Sequence, residues 1–310
     1  MRARWAAFVL TMVALAGCGG GTQATSSSPQ PSSVAAKKLP GSWHLVATSK
    51  SSGTNGLAID GAGNIYVAEI DDNQVEKFST SGVLLETFGT AGAGAGQLDE
   101  PAKVALDASG DLYVTEIGNE RIQEFSPTGK SIRRWGSVGD GAGQFNWPVG
   151  IAVDAAGNHH VCDFNNNRIQ VLTPDGKVLR VWGKFGDQPG QFSSPYDLTL
   201  DRGGQVYVTE AGTPRVQTFS ADGKPEALWA GVGTGPFDFV DIRGIAVDSS
   251  GAVYVEDIGR NRIDKVSADG HYLGQWPGPD VGLNAHAEIA VDTHDHLYVS
   301  VRDTVFELGT

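Results

Sequence analysis

From about residue 42 onward, hydrophobic and polar positions alternate in runs of about five residues. Gly, Asp, Asn or Pro bound each run. Strands of about five residues with turn signals every 8 to 12 residues mark an all-β chain. In one stretch, Lys103 to Leu106 reads as a first strand and Asp107-Ala108-Ser109-Gly110 as a tight turn. Asp111 to Thr115 reads as a second strand, followed by a loop from Glu116 to Glu120. Arg121 to Phe125 and Ser131 to Trp135 read as a third and fourth, joined by the turn Pro127-Thr128-Gly129-Lys130. Asp caps such turns and Gly supplies their positive φ. A Gly-rich connection ending in Gly143-Gln144-Phe145-Asn146-Trp147-Pro148 then leads to the next unit.

The unit recurs. Its anchor aspartates are Asp60, Asp107, Asp154, Asp201, Asp248 and Asp292, which are spaced 47, 47, 47, 47 and 44 residues apart. A fixed period of this size marks a repeat architecture, and four strands per repeat mark a propeller blade. The sixth unit runs out after three strands, from Ile289, from His296 and from Thr304 to Leu308. The segment Ser42 to Thr48 precedes the first unit, and its Trp43 matches the aromatic of the other fourth strands (Phe88, Trp135, Trp182, Trp229, Trp276). The expected fold is therefore all-β, with six blades of four strands closed by this N-terminal strand. Closure removes the exposed edges that invite aggregation.

The frame D-x-x-G-x-x-Y-V-x-[DE]-x-x-N-x-R-[IV] resembles the NHL repeat, most fully in the third copy, Gly150 to Gln170. The resemblance spans about residues 42–310 and implies a six-bladed propeller. NHL propellers occur in exported bacterial lipoproteins, in sensor domains of bacterial receptor kinases and in RNA-binding proteins. Related six-bladed propellers include streptogramin lyases and gluconolactonases. The fold alone thus leaves the function open.

The N-terminus narrows the setting. Arg2 and Arg4 precede an apolar run, Trp5 to Ala14, that is too short to span a bilayer comfortably. Leu15-Ala16-Gly17-Cys18 follows and resembles a bacterial lipobox. The resemblance makes residues 1–17 a signal peptide and Cys18 the lipidated first residue. Residues 18–40 are Gly-, Ser-, Thr-, Gln- and Pro-rich, a tether that cannot bury enough surface to fold. Residues 41–310 form the propeller. The protein is expected to be exported and held on the outer face of a bacterial membrane by lipid alone. Cys162 is then the sole remaining cysteine, so no internal disulfide can form. The formal net charge of -13 argues against a nucleic-acid partner. The expected state is a monomer.

In a propeller the loops joining second to third strands, and fourth strands to the next blade's first, share one face. Their length and variety make that face the expected site. Residues just before each first strand point to the channel mouth there and differ between blades. Asn55, Lys103, Tyr196, Asp197, Arg243 and Glu288 are the candidate ligand-binding residues. An acidic position ending the second strands, Glu69, Glu116, Asp163, Glu210 and Asp257, has two readings. One is a carboxylate ring for a metal. The other is local pairing with Gln74, Arg121, Arg168, Arg215 and Arg262, five residues on. Neighbouring acids on the order of 10 Å apart cannot share one ion, which favours pairing. Exposed pairs would each add only about 0–1 kcal/mol. His159, His160 and Cys162 invite a metal reading, but adjacent strand residues face opposite ways, and two ligands do not make a zinc site.

Nucleophile-elbow, zincin and CxxC motifs are absent from the sequence. His286 beside Glu288 is a weak approach to a catalytic pair. The sequence favours a binding scaffold with no cofactor, recognising an envelope protein, peptide or glycan. The alternative is a metal-dependent lyase or hydrolase working from the same face.

Overall fold

The computed structural model describes residues 38–50, 53–230, 237–283 and 287–309. Cys18 and His286 lie outside the described residues, as do the expected signal peptide and most of the tether. Strand β1 (Ser42–Thr48) comes first. The first complete blade is β2 (Thr54–Ile59), β3 (Ile65–Glu69), β4 (Gln74–Phe78) and β5 (Leu84–Phe88). The second is β6 (Pro101–Leu106), β7 (Leu112–Glu116), β8 (Arg121–Phe125) and β9 (Ser131–Trp135). The third is β10 (Pro148–Val153), β11 (His159–Asp163), β12 (Arg168–Leu172) and β13 (Val178–Trp182). The fourth is β14 (Pro195–Leu200), β15 (Val206–Glu210), β16 (Arg215–Phe219) and β17 (Pro225–Trp229). The fifth is β18 (Ile242–Val247), β19 (Val253–Asp257), β20 (Arg262–Val266) and β21 (Tyr272–Pro277). The sixth has β22 (Glu288–Val291), β23 (Leu297–Val301) and β24 (Thr304–Gly309). It is completed by β1, which pairs antiparallel with β24 from Ser42–Gly309 to Thr48–Thr304. Six four-stranded antiparallel sheets result.

The anchor aspartate shapes each turn between first and second strands. One carboxylate oxygen accepts the N–H groups two and four residues on, as Asp154 does from Ala156 and Asn158 at 2.9 and 2.8 Å. Asp60, Asp107, Asp201, Asp248 and Asp292 repeat the pattern. This is the Asx-type turn that recommends Asp at such positions.

The core is divided among the blade interfaces, because period-2 side chains leave each sheet on opposite faces. Tyr66 and Ala68 join Val104 and Val114 between blades one and two, whereas Ile65 and Val67 join Ala290 and Tyr298 between blades one and six. The latter cluster also holds Ala47 of β1, so closure is a matter of packing as well as pairing.

Two boundaries move from expectation. First strands begin about two residues earlier, at a proline in blades two to four, so the candidate residues sit within strands and not before them. The expected tether also ends earlier. Leu39 N–H donates to Gln275 O at 2.8 Å, and Trp276 Nε1 donates to Pro40 O at 2.8 Å. Residues 38–40 are therefore strapped along blade five.

Candidate functional site

One position near the start of the first strands, the third residue in blades one to five and the first residue of β22, alternates around the ring: Gly56, Lys103, Gly150, Asp197, Gly244, Glu288. The strands converge there, and six side chains cannot share the space. A Cβ on Gly150 would come within 2.8 Å of the Asp197 Cα, and one on Gly244 within 2.8 Å of the Glu288 carboxylate. Glycine in three blades lets the charged residues of the other three meet on the axis. Lys103 Nζ lies 3.4 Å from Asp197 Oδ2 and in direct contact with Glu288 Oε2.

A fourth group joins them from a second strand. Glu256 occupies the slot that holds Ala68, Thr115, Cys162, Thr209 and Ser300 in the other blades. Thr115 and Thr209 use that slot to bond across blades, donating to Val149 O and Arg243 O at 2.7 Å. Glu256 instead accepts the Gly244 N–H at 3.3 Å, and its buried Oε1 has no hydrogen-bond partner among the described residues. Burial pushes its carboxyl up to about 8, with Lys103 pulling the other way. Glu256 is thus a neutral acid at neutral pH. Burial also raises Asp197 and lowers Lys103.

The candidate residues do come together, but as a plug and not as an open rim. Asn55, Lys103, Tyr196, Asp197 and Glu288 are 1–6 % exposed. Among the described residues the Asn55 amide atoms have no hydrogen-bond partner. Arg243 alone among the six reaches outward, its side chain 13 % exposed and 3.0 Å from Asp241. Its guanidinium lies 4.8 Å from the Tyr196 ring centroid. An aromatic row continues across the loop face from there. Phe164 meets Tyr196 edge-on at 6.3 Å, and Trp147 lies 6.0 Å from Phe164.

The acidic position proves to be a loop clamp. Asp163 receives Arg168 Nε at 2.7 Å while the guanidinium also donates to Gly141 O and Gln144 O of the preceding loop. Glu116 with Arg121 and Glu210 with Arg215 do the same. These carboxylates are fully buried, which corrects the expectation of exposed, weak pairs. Removing one partner of a buried pair costs about 3–5 kcal/mol, far above the surface value. In blade five Arg262 turns to Asp264 at 2.9 Å and stands 3.8 Å from Asp257.

His159 and His160 are packing groups. His159 lies 4.3 Å from Tyr113 and 5.2 Å from Trp135 by ring centroid, and burial lowers it to about 4. His160 takes the tyrosine slot, its Nε2 3.4 Å from Asp154 Oδ2. Among the described residues no three His, Cys, Asp or Glu side chains are grouped to hold a metal.

Sequence reasoning missed Glu256, Trp147 and Phe164. The signal for Glu256 was a charge in a slot otherwise small. Trp147 replaces Glu100 and Ser194, and Phe164 replaces Ile70, Ile117 and Ala211.

The NHL repeat model matches residues 145–172, which span the third blade's entry loop and its first three strands. Virginiamycin B lyase from Staphylococcus aureus is similar in fold, at 14 % identity and a TM-score of 0.64, over 87 % of this chain and 100 % of that one. A gluconolactonase from Xanthomonas campestris gives 16 % and 0.67, over 91 % and 98 %. A chain of a nidogen–laminin complex gives 20 % and 0.56, over 72 % and 80 %. No curated protein sequence matches the chain. Identities this low establish the shared propeller and nothing finer.

Proposed function

We propose that this chain is an exported, lipid-tethered recognition protein. It binds an envelope protein, peptide or glycan through the loop face around Arg243. One observation carries this reading: the charged residues of three first strands hold one another, buried on the axis. Lys103 is held between Asp197 and Glu288, and these side chains are 3–8 % exposed. What reaches solvent is Arg243 and, beyond the buried Tyr196, the half-buried Phe164 and Trp147. The tether reading adds Leu15-Ala16-Gly17-Cys18 and the polar segment after it.

A lyase or hydrolase reading draws on Glu256, a neutral acid beside an ammonium, since displaced pKa values gather at catalytic sites. A metal does not fit it well. Asp197 and Glu288 already hold the Lys103 ammonium where a cation would sit.

The two readings part in one experiment. Full-length protein is immobilised against envelope extract and assayed in parallel for lactone hydrolysis. Arg243→Ala is expected to lose capture, whereas Lys130→Ala and Lys177→Ala on the opposite face retain it. Lactone turnover abolished by Glu256→Gln would move the assignment to the enzyme. In the same cells Cys18→Ala is expected to release the protein from the membrane fraction, and unchanged distribution would remove the anchor.

A further inference from the structure

The Trp147 position is where the third blade departs from its neighbours without structural need. Its backbone has φ +60, and so do the equivalent Glu100 and Ser194 at +50 and +57. In each case an inter-blade hydrogen bond imposes the shape. Glu120 Oε2 accepts the Trp147 N–H at 2.6 Å, as Asn73 and Asn167 accept those of Glu100 and Ser194. The left-handed conformation therefore belongs to the repeat, but the choice of Trp does not. A bulky residue there is strained, and such strain concentrates at functional positions. The side chain is half-buried on the loop face, against Phe164.

Polar groups flank the two rings. Asn146 precedes Trp147 and Asn165 follows Phe164, and the Asn165 amide donates to Asn146 Oδ1 at 2.9 Å. Backbone bonds from Phe164 N to Trp147 O and from Asn165 N to Asn146 O lock the two loops together at 3.1 and 3.0 Å. The platform is thus built before any ligand arrives. Beyond Tyr196 it ends in Arg243 paired with Asp241, a group of no net charge.

We propose that this row is a carbohydrate site, and that the envelope ligand is a neutral oligosaccharide lying from Trp147 toward Arg243. This deepens the reading above and rests on it. The chemistry matches in three ways. Aromatic faces take up the apolar C–H face of a sugar ring. Each sugar hydroxyl both donates and accepts, and carboxamides offer both functions, as does an Arg–Asp pair. The self-neutralised Arg243–Asp241 end favours neither an anionic nor a cationic ligand. A peptide would want apolar pockets for its side chains or a free strand edge. The first strands here are interior to the ring and the channel beneath is plugged.

Calorimetric titration of the full chain with cellohexaose, chitohexaose, maltohexaose and mannohexaose tests this. At least one is expected to bind. Trp147→Ala and Phe164→Ala are each expected to weaken it by about tenfold or more, while Trp147→Tyr keeps affinity within about threefold. Asn165→Ala, an exposed change, is expected to weaken binding with the melting curve unmoved. Absence of binding by all four sugars, or binding indifferent to Trp147→Ala and Phe164→Ala, overturns the proposal. The envelope capture assay separates the two levels. Sugars that fail while Trp147→Ala still abolishes capture leave the loop face standing and its ligand a polypeptide. Capture unaffected by Trp147→Ala and Arg243→Ala alike removes both.

Discussion

Glu256 shows how one residue changes the meaning of a conserved geometry within the repeat. Where Thr115 and Thr209 staple neighbouring blades, Glu256 leaves one buried oxygen without a hydrogen-bond partner among the described residues. Lys103, Asp197, Arg243 and Glu288 face it from blades two, four, five and six. Its folded pKa, about 8, lies above the ordinary carboxyl value of 4.5. The native state therefore holds a proton that the unfolded chain has already lost, and stability declines as pH rises between those two values. Glu256→Gln cancels that decline and leaves the contributions of Lys103 and Asp197 in place. The variant is expected to gain on the order of 1–3 kcal/mol relative to the parent at pH 9 and little at pH 5. Denaturant melts across that range check it, and parallel curves for the two proteins would refute the neutral acid. The same residue marks a limit of legibility. The variable slots of the first strands pointed to Lys103, Asp197, Arg243 and Glu288, because ligand-reading positions differ between repeats. Glu256 hid beside Asp257 in a run of acids, and only convergence in space distinguishes the clamp from the plug.

At the scale of elements, the period and the turn residues made the blades readable. Asp and Gly fix the turns, and alternation fixes which side chains enter which interface. The closing strand was legible as well, from a missing fourth strand at one end and a spare one at the other. Burial was not legible. A buried Arg121 and an exposed one look alike in sequence, so the clamp was undervalued until its carbonyl partners were seen. The tether's end was also hidden, since nothing in Lys38-Leu39-Pro40 announces a partner at Gln275. A chain beginning at residue 38 keeps this strap and β1, and is expected to melt like the full chain. One beginning at residue 50 loses both, bares the β24 edge and uncovers Val305. Its melting temperature is expected to fall by roughly 10 °C or more, given about 2–4 °C per kcal/mol for a domain of this size. Equal melting temperatures would show that β1 does not close the ring.

For the whole molecule, the ring sets a division of labour. The Asx turns build one face and vary little, while the opposite face carries the longer loops, Arg243 and the aromatic row. Between them Lys103, Asp197 and Glu288 are buried together on the axis, and the proposed recognition is assigned to the loop surface. The shared fold of lyases, lactonases and a chain of a protein complex shows how little the scaffold itself decides. The most direct measurement is site-specific photo-crosslinking in intact cells. A photoreactive amino acid replaces Phe164 or exposed Phe185 on the loop face, or Lys130 or Lys177 on the other. Adducts with envelope material from the Phe164 and Phe185 positions alone are the expected result. Adducts from Lys130 and Lys177 in equal or greater yield would place recognition on the wrong face and contradict the account.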